Sequence, residues 1–416
     1  MKIKRLLLTT SLMQVMVARS LRHSRLDLVL VAAVIAFIPW QALGLGSRIP
    51  NQDATAIARG NAFVATADNP SAIYYNPAGI SQLKGQNVQV GSLFYLNIET
   101  DYESPSGRHV ENKREIIAIP QLHYVFSPED QPFSFGLGIY SPFGLGVEWP
   151  DTAPFRNAGV KVKLTYITVN PVVAWQPHPT LSIAAGPTFN YSKAELRQGV
   201  AVSPYQFRFE GDDWAYGFDA GILWQPHPQW SFGAKYSSPT TVDYEGTASF
   251  NPSAPFLPKP SHTKTHLDFP QNAVAGVSFR PTTNWNIEVN VDWTDWDTVD
   301  NAVIDKIAIL PLNWHSSFFY EFGVTRQLGK GYFISVGYFF SEASTSNRNY
   351  TPLVPDTDLH VGSLGVGYKG DHWSWALAGQ IIGGGFNNVN NAANPSVNGH
   401  YKIFVPTASF SVGYHF

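Results

Sequence analysis

The sequence predicts an all-β fold, namely a transmembrane antiparallel β-barrel of about fourteen strands with an N-terminal plug, or hatch, inside its lumen. Three observations predict this fold. The N-terminus has the pattern of an export signal, apolar and polar residues alternate from about residue 86 to the end, and only 14% of the residues are charged. Soluble domains carry roughly 25% charged residues, so the low fraction favours an outer surface that faces lipid.

Residues 1–44 are predicted to form a signal peptide. Six basic residues precede an apolar core at residues 28–38. This core is too short for a spanning helix, which needs about 20 apolar residues, and its length is typical of a secretory signal. The small residues Ala42 and Gly44 predict cleavage near Gly44, and Met13 and Met16 are alternative starts. Since no other stretch is long enough to span as a helix, membrane insertion has to use strands.

Residues 86–416 are predicted to form the barrel, because their apolar and polar residues alternate with the period of two that strands show. The links between the alternating segments are short and long in turn, as in outer-membrane barrels, whose short turns are periplasmic. An even number of strands also leaves both chain ends on the periplasmic side. The fourteen predicted strands lie near 86–102, 114–126, 132–142, 159–175, 181–199, 212–225, 230–247, 265–280, 285–297, 316–328, 331–343, 359–369, 373–384 and 402–416.

Several other classes are disfavoured by composition and local pattern. A large soluble β-sandwich or propeller is the alternative fold, and the low charge and the export signal argue against it. The repeated WQPHP at residues 175–179 and 224–228 is interpreted as a turn with an interfacial tryptophan, not as a histidine metal site. With no cysteine and a net charge of −3, we expect no metal, no cofactor and no nucleic-acid partner.

Residues 45–85 do not alternate and are predicted to form the plug, with short helices at 53–59 and 61–67. A segment of about 40 residues without disulfides or metal is hard to stabilise alone, whereas a barrel of about fourteen strands has a lumen to fill. A disordered periplasmic tail is the alternative. The large side chains of Ile73, Tyr74 and Tyr75 favour a packed segment instead.

Four stretches carry a resemblance to a known family. RGNAFVATADNPSAIYYNPAGISQLKG, at residues 59–85, resembles the N-terminal hatch of the FadL family of outer-membrane long-chain fatty-acid transporters, and Asn76-Pro77-Ala78 matches the NPA motif of that hatch. FGLGIYSPFGLGVEWP (135–150), NIEVNVDWTDWD (286–297) and VPDTDLHVGSLGVGY (354–368) are similar to the family's third strand, Trp-rich strand and Pro-Asp motif. The likeness covers about 45–416, nearly the whole mature chain.

The resemblance implies passive uptake of hydrophobic molecules across the outer membrane of a Gram-negative-type bacterium. It implies an extracellular apolar groove, an inner pocket, a hatch rearrangement and a lateral gap at a kinked third strand. Gating is then expected at Asn76, Pro77 and Ala78. The terminal Phe416 is expected to be read by the barrel assembly machinery. We expect a monomer whose partners are that machinery, the membrane lipid and a hydrophobic ligand.

Candidate residues for the route follow from residue type and strand parity. Proline and glycine weaken strand pairing, so they predict the kink, although inward glycines could instead accommodate the plug. A carboxylate ligand needs an inward cation, although such a cation could equally be a solvated lumen charge. Aromatic residues in the loops 200–211 and 248–264 predict a capture surface. The candidates are Gly136, Gly138, Pro142, Gly144 and Gly146 for the kink, Lys161, Lys163 and Lys235 for the carboxylate, and Phe207, Phe209, Phe250 and Phe256 for capture.

Two further functions stay open at this point. A non-specific porin predicts a charged constriction and no plug. A barrel enzyme predicts a catalytic cluster, and the sequence has no GxSxG motif and no polar triad on adjacent inward positions, so we predict that the protein is not an enzyme. A long-chain fatty acid is the expected substrate. An aromatic or aliphatic hydrocarbon, which needs no inward cation, is the alternative.

Overall fold

The computed structural model describes residues 47–96, 98–201, 203–299, 301–304, 308–384, 387–392 and 394–416. The predicted signal peptide, residues 1–44, lies outside the described residues. No helix within the described ranges has the length and hydropathy needed to cross a membrane. The helices are α1 (Ala54–Ile57), α2 (Ala72–Tyr75) and the 3-10 helices Pro77–Gln82, Trp296–Thr298, Asn347–Asn349 and Pro395–Val397.

The strands account for most of the remaining described chain. They are β1 (Gly85–Tyr95), β2 (Glu99–Glu103), β3 (His109–Glu111), β4 (Ile117–Ser127), β5 (Phe133–Tyr140), β6 (Gly144–Glu148), β7 (Lys161–His178), β8 (Leu181–Gly199), β9 (Gln206–His227), β10 (Trp230–Ser237), β11 (Thr240–Asn251), β12 (Ser261–Phe269), β13 (Asn272–Phe279), β14 (Trp285–Thr294), β15 (Asn301–Ile304), β16 (Ala308–Pro311), β17 (Ser317–Gly329), β18 (Tyr332–Ser341), β19 (Leu359–Lys369), β20 (Trp373–Gly383), β21 (Asn387–Val389) and β22 (Gly399–His415).

These strands form one closed antiparallel barrel. β1 pairs with β4 on one side and with the last strand, β22, on the other, so the sheet has no free edge at the chain ends. Several of the fourteen barrel strands consist of two β segments in succession; the third, for example, consists of β5 and β6. The prediction of fourteen strands is confirmed, and each predicted segment coincides with one barrel strand.

The polarity of the two barrel faces inverts along the strands. Taking the short turns as periplasmic, the lower part of β9 points Trp214 and Phe218 outward, and each is about half exposed. Towards the extracellular end of the same strand, Phe207 and Phe209 point inward and are buried, while Arg208 is exposed. The apolar face therefore looks toward lipid below and toward the barrel interior above.

Residues 47–84, which we call the hatch, are surrounded by the wall. Side chains of the hatch are almost all buried. Glycines of the wall leave room for it on several sides, because a Cβ there would collide with a hatch atom. Such glycines are Gly138 on β5, Gly233 on β10, Gly323 on β17 and Gly365 on β19.

The local structure of the hatch follows from a few polar contacts. Helix α1 begins after Asp53, whose carboxylate accepts hydrogen bonds from the Thr55 and Ala56 amides at 3.1 and 3.3 Å. The predicted helix at 53–59 is thus confirmed in its first turn. The predicted helix at 61–67 is wrong, since Asn61 and Ala67 at its two ends have positive φ values of 63° and 36°, which a right-handed helix excludes. These residues form turns instead.

Candidate functional site

The third barrel strand is interrupted, and this leaves one edge of β4 without a partner. β5 ends at Tyr140 and β6 begins at Gly144. β4 pairs with β5 from Phe126 up to Leu122. Beyond that point, residues 117–121 pair with β1 only, among the strands that the structure describes. The barrel wall therefore has an open seam between β4 and β6.

Of the five predicted kink residues, two lie at this interruption and three do not; one of these three, Gly146, lies inside β6 opposite Lys163. Pro142 falls within the interruption and Gly144 borders it. Both positions are expected, because proline has no N–H to donate to a neighbouring strand and glycine has no side chain to pack in one. Gly136 and Gly138 lie inside β5, which is paired on both sides there, so the prediction that they form the kink is wrong. They make room for the hatch, because a Cβ on either one would come within 2.9 Å of Ile73.

The first hatch residues supply the hydrogen-bond partners that the interrupted strand lacks. The Ile49 amide donates to the Pro142 carbonyl at 2.7 Å, and the Gly144 amide donates to the Ser47 carbonyl at 2.8 Å. The Gln52 amide side chain also donates to the Ser141 carbonyl at 2.7 Å. Since buried backbone groups need partners, residues 47–52 hold the interruption in its present shape.

A cavity of about 600 Å³ lies at the open seam, and we call it the gap cavity. It extends from the hatch past β4 and β6 to the extracellular part of β7. Most of its lining is apolar. The aliphatic lining residues are Ile49, Ile98, Ile116, Ile117, Ala118, Ile119, Ile139, Leu145, Val147, Val162, Leu164, Ile167, Leu359, Ile382, Ile403 and Val405.

A second cavity, of about 420 Å³, lies nearer the extracellular loops, and we call it the outer cavity. Trp296 and Trp314, whose rings meet edge to face at 4.9 Å, form part of its wall with Phe209. Leu145 and Leu164 line both the outer cavity and the gap cavity. The two apolar spaces therefore adjoin across a shared set of side chains.

The phenylalanines predicted for capture are placed differently from the expectation. Phe207 and Phe209 lie on β9 and Phe250 on β11, so the prediction that these three occupy loops is wrong. The strands simply continue beyond the lipid-facing band. Phe207 packs 5.8 Å from Phe250, and only Phe209 of the four lines the outer cavity. Phe256 does lie in the loop after β11 and is 67% exposed.

The three candidate lysines also separate. Lys235 is buried inside the barrel, 3.6 Å from the Asp219 carboxylate and 4.5 Å above the Tyr74 ring. Lys161 and Lys163 lie on the outer face of β7, alternating with the inward Leu164, so their predicted inward direction is wrong. The cause is the polarity inversion: above the lipid-facing band the polar face of a strand is the outer one.

Two buried ion pairs, which the sequence reasoning missed, anchor the hatch to one strand. Arg48 lies 2.7 Å from Asp292 and Arg59 lies 3.0 Å from Glu288, with all four side chains at most 4% exposed. Both acids belong to the inward polar row of β14. Two buried carboxylates on an inward face require cationic partners. The two arginines of the hatch could therefore have predicted these pairs from the sequence.

Asn76 of the NPA motif links three parts of the molecule. Its side-chain amide donates to the Val64 carbonyl in the hatch at 2.8 Å and to the Ile222 carbonyl on β9 at 2.9 Å. Its side-chain oxygen accepts the Ala78 amide at 3.2 Å and so caps the 3-10 helix that begins at Pro77. Asn76 therefore joins the hatch to itself and to the wall.

The opposite side of the hatch faces a more polar space. A cavity of about 270 Å³, which we call the periplasmic cavity, lies among the hatch and the periplasmic ends of the strands. Its lining includes Arg59, Asp68, Lys369 and Asp371, and Lys369 lies 3.6 Å from Asp68. Its polar lining contrasts with the aliphatic lining of the gap cavity.

A closed barrel with a lipid-facing band, an internal hatch and adjoining apolar cavities defines an outer-membrane transport protein. The family model described as "Outer membrane protein transport protein (OMPP1/FadL/TodX)" matches residues 35–375, and the chain belongs to this family. The resemblance noted in the sequence is thereby confirmed, as is a location in the outer membrane. The family consists of transporters and channels.

Curated relatives match over most of their length at low identity. The long-chain fatty acid transport protein of Escherichia coli K12 is 21% identical over an alignment of 390 positions, which covers 81% of this chain and 87% of the relative. The 47 kDa outer membrane protein of Pasteurella multocida is 22% identical over 84% of this chain and 89% of the relative.

Solved structures show the same fold. A Pseudomonas aeruginosa FadL homologue superposes with a TM-score of 0.80 at 17% identity, covering 89% of this chain and all of the homologue. The Pseudomonas putida toluene transporter TodX superposes with a TM-score of 0.72 at 16% identity, covering 90% and 99%.

Proposed function

We propose that the protein takes up long-chain fatty acids passively, from the outer cavity through the gap cavity and out of the barrel at the open seam. The observation that carries this proposal is the position of the gap cavity. It adjoins the outer cavity through Leu145 and Leu164, and it reaches Ile167, which is 38% exposed on the lipid-facing surface.

The apolar lining supports a hydrophobic cargo. Each methylene kept out of water is worth about 0.8 kcal/mol, so an acyl chain would cross a water-filled pore at a large cost. Along the proposed route the chain stays in contact with aliphatic and aromatic side chains. A concentration gradient is then sufficient, and no coupled energy source is required.

A lateral exit is favoured over an exit through the hatch. The hatch is held on β14 by the Arg48–Asp292 and Arg59–Glu288 pairs, and separating one partner of a buried pair costs about 3–5 kcal/mol. The periplasmic cavity beyond is lined by charged groups. Opening the seam requires the release of only a few backbone hydrogen bonds between residues 47–52 and 141–144, each with a net worth of about 0.5–1.5 kcal/mol.

Gating in this proposal is divided between two parts of the hatch. Residues 47–52 cover the interruption and move when the seam opens. While residues 47–52 move, Asn76, Pro77 and Ala78 hold the body of the hatch to β9. This is the role in gating that is expected of the NPA motif.

A hydrocarbon is the second candidate substrate, and one observation favours it. The two cations nearest the inner end of the route, Arg48 and Lys235, already pair with the wall carboxylates Asp292 and Asp219. Neither pair leaves a free positive charge for a ligand carboxylate. Toluene, the cargo named for the Pseudomonas putida relative, would need no such charge.

Uptake of labelled oleate and of toluene by cells that carry the protein tests both candidates. Gly146 lies across the seam from Ile117, and a Cβ on Gly146 would come within 2.9 Å of the Ile117 side chain. Gly146→Phe should therefore fill the gap cavity. We expect uptake to fall to the level of cells without the protein. Gly362→Phe is the matched control, because Gly362 faces outward with no atom within 4 Å of its Cβ position, and it should leave uptake unchanged.

Two outcomes would contradict the proposal. Normal uptake through a correctly inserted Gly146→Phe variant would exclude the seam as the route. Equal passage of small hydrophilic sugars through the unaltered protein would identify a non-specific porin instead.

A further inference from the structure

The outer face of the barrel beside the seam carries an excess of positive charge. Five cations and three glutamates from β6 to β9 and the segment before β4 form one network of ion pairs, in which each glutamate contacts at least two cations. Its members are Lys113, Lys161, Lys193, Arg197, Arg208, Glu148, Glu195 and Glu210.

Lys163 lies beside this network but has no partner in it. Its neighbour in the sheet is Glu195, but that carboxylate already accepts Lys161 at 3.0 Å, with Arg197 and Arg208 within 3.7 Å. Lys163 makes no ion pair with any residue that the structure describes, and its side chain is exposed. A free ammonium group therefore lies beside Glu195, whose charge other cations already neutralise.

Lys163 also stands at the mouth of the gap cavity. It lines that cavity together with Gly146, its neighbour on β6, and with the exposed Ile116. The acid Glu115 lines the same cavity from the β4 side. The mouth thus has a free cation on the β7 side.

The depth of Lys163 in the membrane follows from the aromatic residues below it. Tyr191 and Trp214 pack 5.4 Å apart on the outer face, and such aromatic residues mark the boundary between hydrocarbon and head groups. Tyr191 is level with Ile167 in the sheet. Lys163 lies four residues further toward the extracellular end of β7, which is about 13 Å along the strand. Lys163 is therefore at the height of the lipid head groups.

We propose that Lys163 binds the carboxylate of the fatty acid as its acyl chain leaves through the seam. This inference rests on the proposed function and adds the residue that orients the cargo. With the carboxylate on Lys163, the acyl chain can lie in the gap cavity below and enter the lipid layer first. At this exit step the charged head does not have to follow the chain into an apolar medium, where an unpaired charge is costly. A cargo without a carboxylate gains nothing from this contact.

The test compares a fatty acid with the alcohol of equal chain length. The full-length mature protein is reconstituted in vesicles of phosphatidylcholine, and the transfer rates of oleate and oleyl alcohol are measured for the unaltered protein, Lys163→Gln and Lys163→Arg. We expect Lys163→Gln to slow oleate about two- to fivefold, the range for an exposed ion pair, and to leave oleyl alcohol unchanged. Lys163→Arg should keep the oleate rate.

Lys193→Gln is the matched control. Lys193 belongs to the same network, on the same outer face, but pairs with Glu210 at 2.8 Å and does not line the gap cavity. It should leave both rates unchanged, which separates a contact with the cargo from a general effect of surface charge.

Each other outcome overturns the inference in a recognisable way. Equal slowing of oleate and oleyl alcohol by Lys163→Gln would mean that Lys163 only supports the structure of the seam. An effect that appears only when the vesicles contain lipopolysaccharide would assign the ammonium group to the phosphates of that lipid. An unchanged oleate rate would exclude the contact. If the unaltered protein transfers neither oleate nor its alcohol, the proposed function itself is wrong.

Discussion

Replacing Arg48 by leucine should release the start of the hatch from the interrupted strand. The guanidinium donates to Asp292 at 2.7 Å, to Thr294 at 2.6 Å and to Asn272 at 3.3 Å, and the residue is only 5% exposed. Arg48 also lies between Ser47 and Ile49, which supply the hydrogen bonds to the interruption. Losing it therefore frees this segment and leaves Asp292 buried without its cation.

The magnitude follows from the burial of the pair. Removing one partner of a buried ion pair costs about 3–5 kcal/mol, because the other charge is left uncompensated. At about 1.4 kcal/mol per factor of ten, the fraction of molecules with an undocked segment should rise by roughly two to three and a half orders of magnitude. The wall strands keep their own pairing, so the thermal stability of the barrel should change little.

Hydrogen exchange at individual amides measures this release. The Ile49 and Gly144 amides, which bond across the interface, should lose protection in Arg48→Leu, and bilayer conductance should rise as the seam opens. Arg114→Leu is the control, since Arg114 forms exposed pairs with Glu111 and Glu99 that are worth about 0–1 kcal/mol.

A double variant separates loss of the anchor from loss of charge balance. Arg48→Leu combined with Asp292→Leu removes both charges, and replacing a buried pair by apolar groups is often close to neutral. Most of the protection should then return. Unchanged protection of the Ile49 and Gly144 amides in the single variant would refute the reasoning.

Two further predictions concern residues singled out from the sequence. Asn76→Ala removes three hydrogen bonds, each worth about 0.5–1.5 kcal/mol. It should increase conductance, while the amount of barrel in outer-membrane fractions stays normal. Loss of insertion would instead make the residue purely structural. Deletion of Phe416, which is 64% exposed and packs on Tyr414 at 4.9 Å, should lower the amount assembled in cells. The same variant, refolded in detergent and reconstituted in vesicles, should transport oleate normally, and a defect there would contradict a role limited to assembly.

The sequence was sufficient to predict the barrel because lipid imposes a simple pattern. A strand that faces hydrocarbon on one side and a polar lumen on the other has to alternate, and this pattern located all fourteen barrel strands. It failed where the strands leave the membrane. There the outer face is polar and the inner face apolar, so Lys161 and Lys163 were placed on the wrong side, and Phe207, Phe209 and Phe250 were placed in loops.

The candidate site was only partly predictable. Pro142 and Gly144 marked the interruption because their residue types are incompatible with regular pairing. The contact between residues 47–49 and 142–144 left no signal, since it joins backbone groups about a hundred residues apart along the chain and backbone groups are the same for every residue type. Gly136 and Gly138 were wrongly assigned to the kink. A glycine that leaves room for the hatch cannot be distinguished in sequence from one that bends a strand.

The inversion of polarity along β7 has a consequence for what the barrel separates. Leu164 faces the interior and Ile167, three residues away, faces the bilayer, and both line the same cavity. For an ion or a sugar, the wall at this point is still an insulating barrier. On the proposed route, a hydrocarbon chain would pass from the apolar interior to the apolar outer surface where the two surfaces meet. The same wall can thus be impermeable to everything dissolved in water and still be open to the compounds that water excludes.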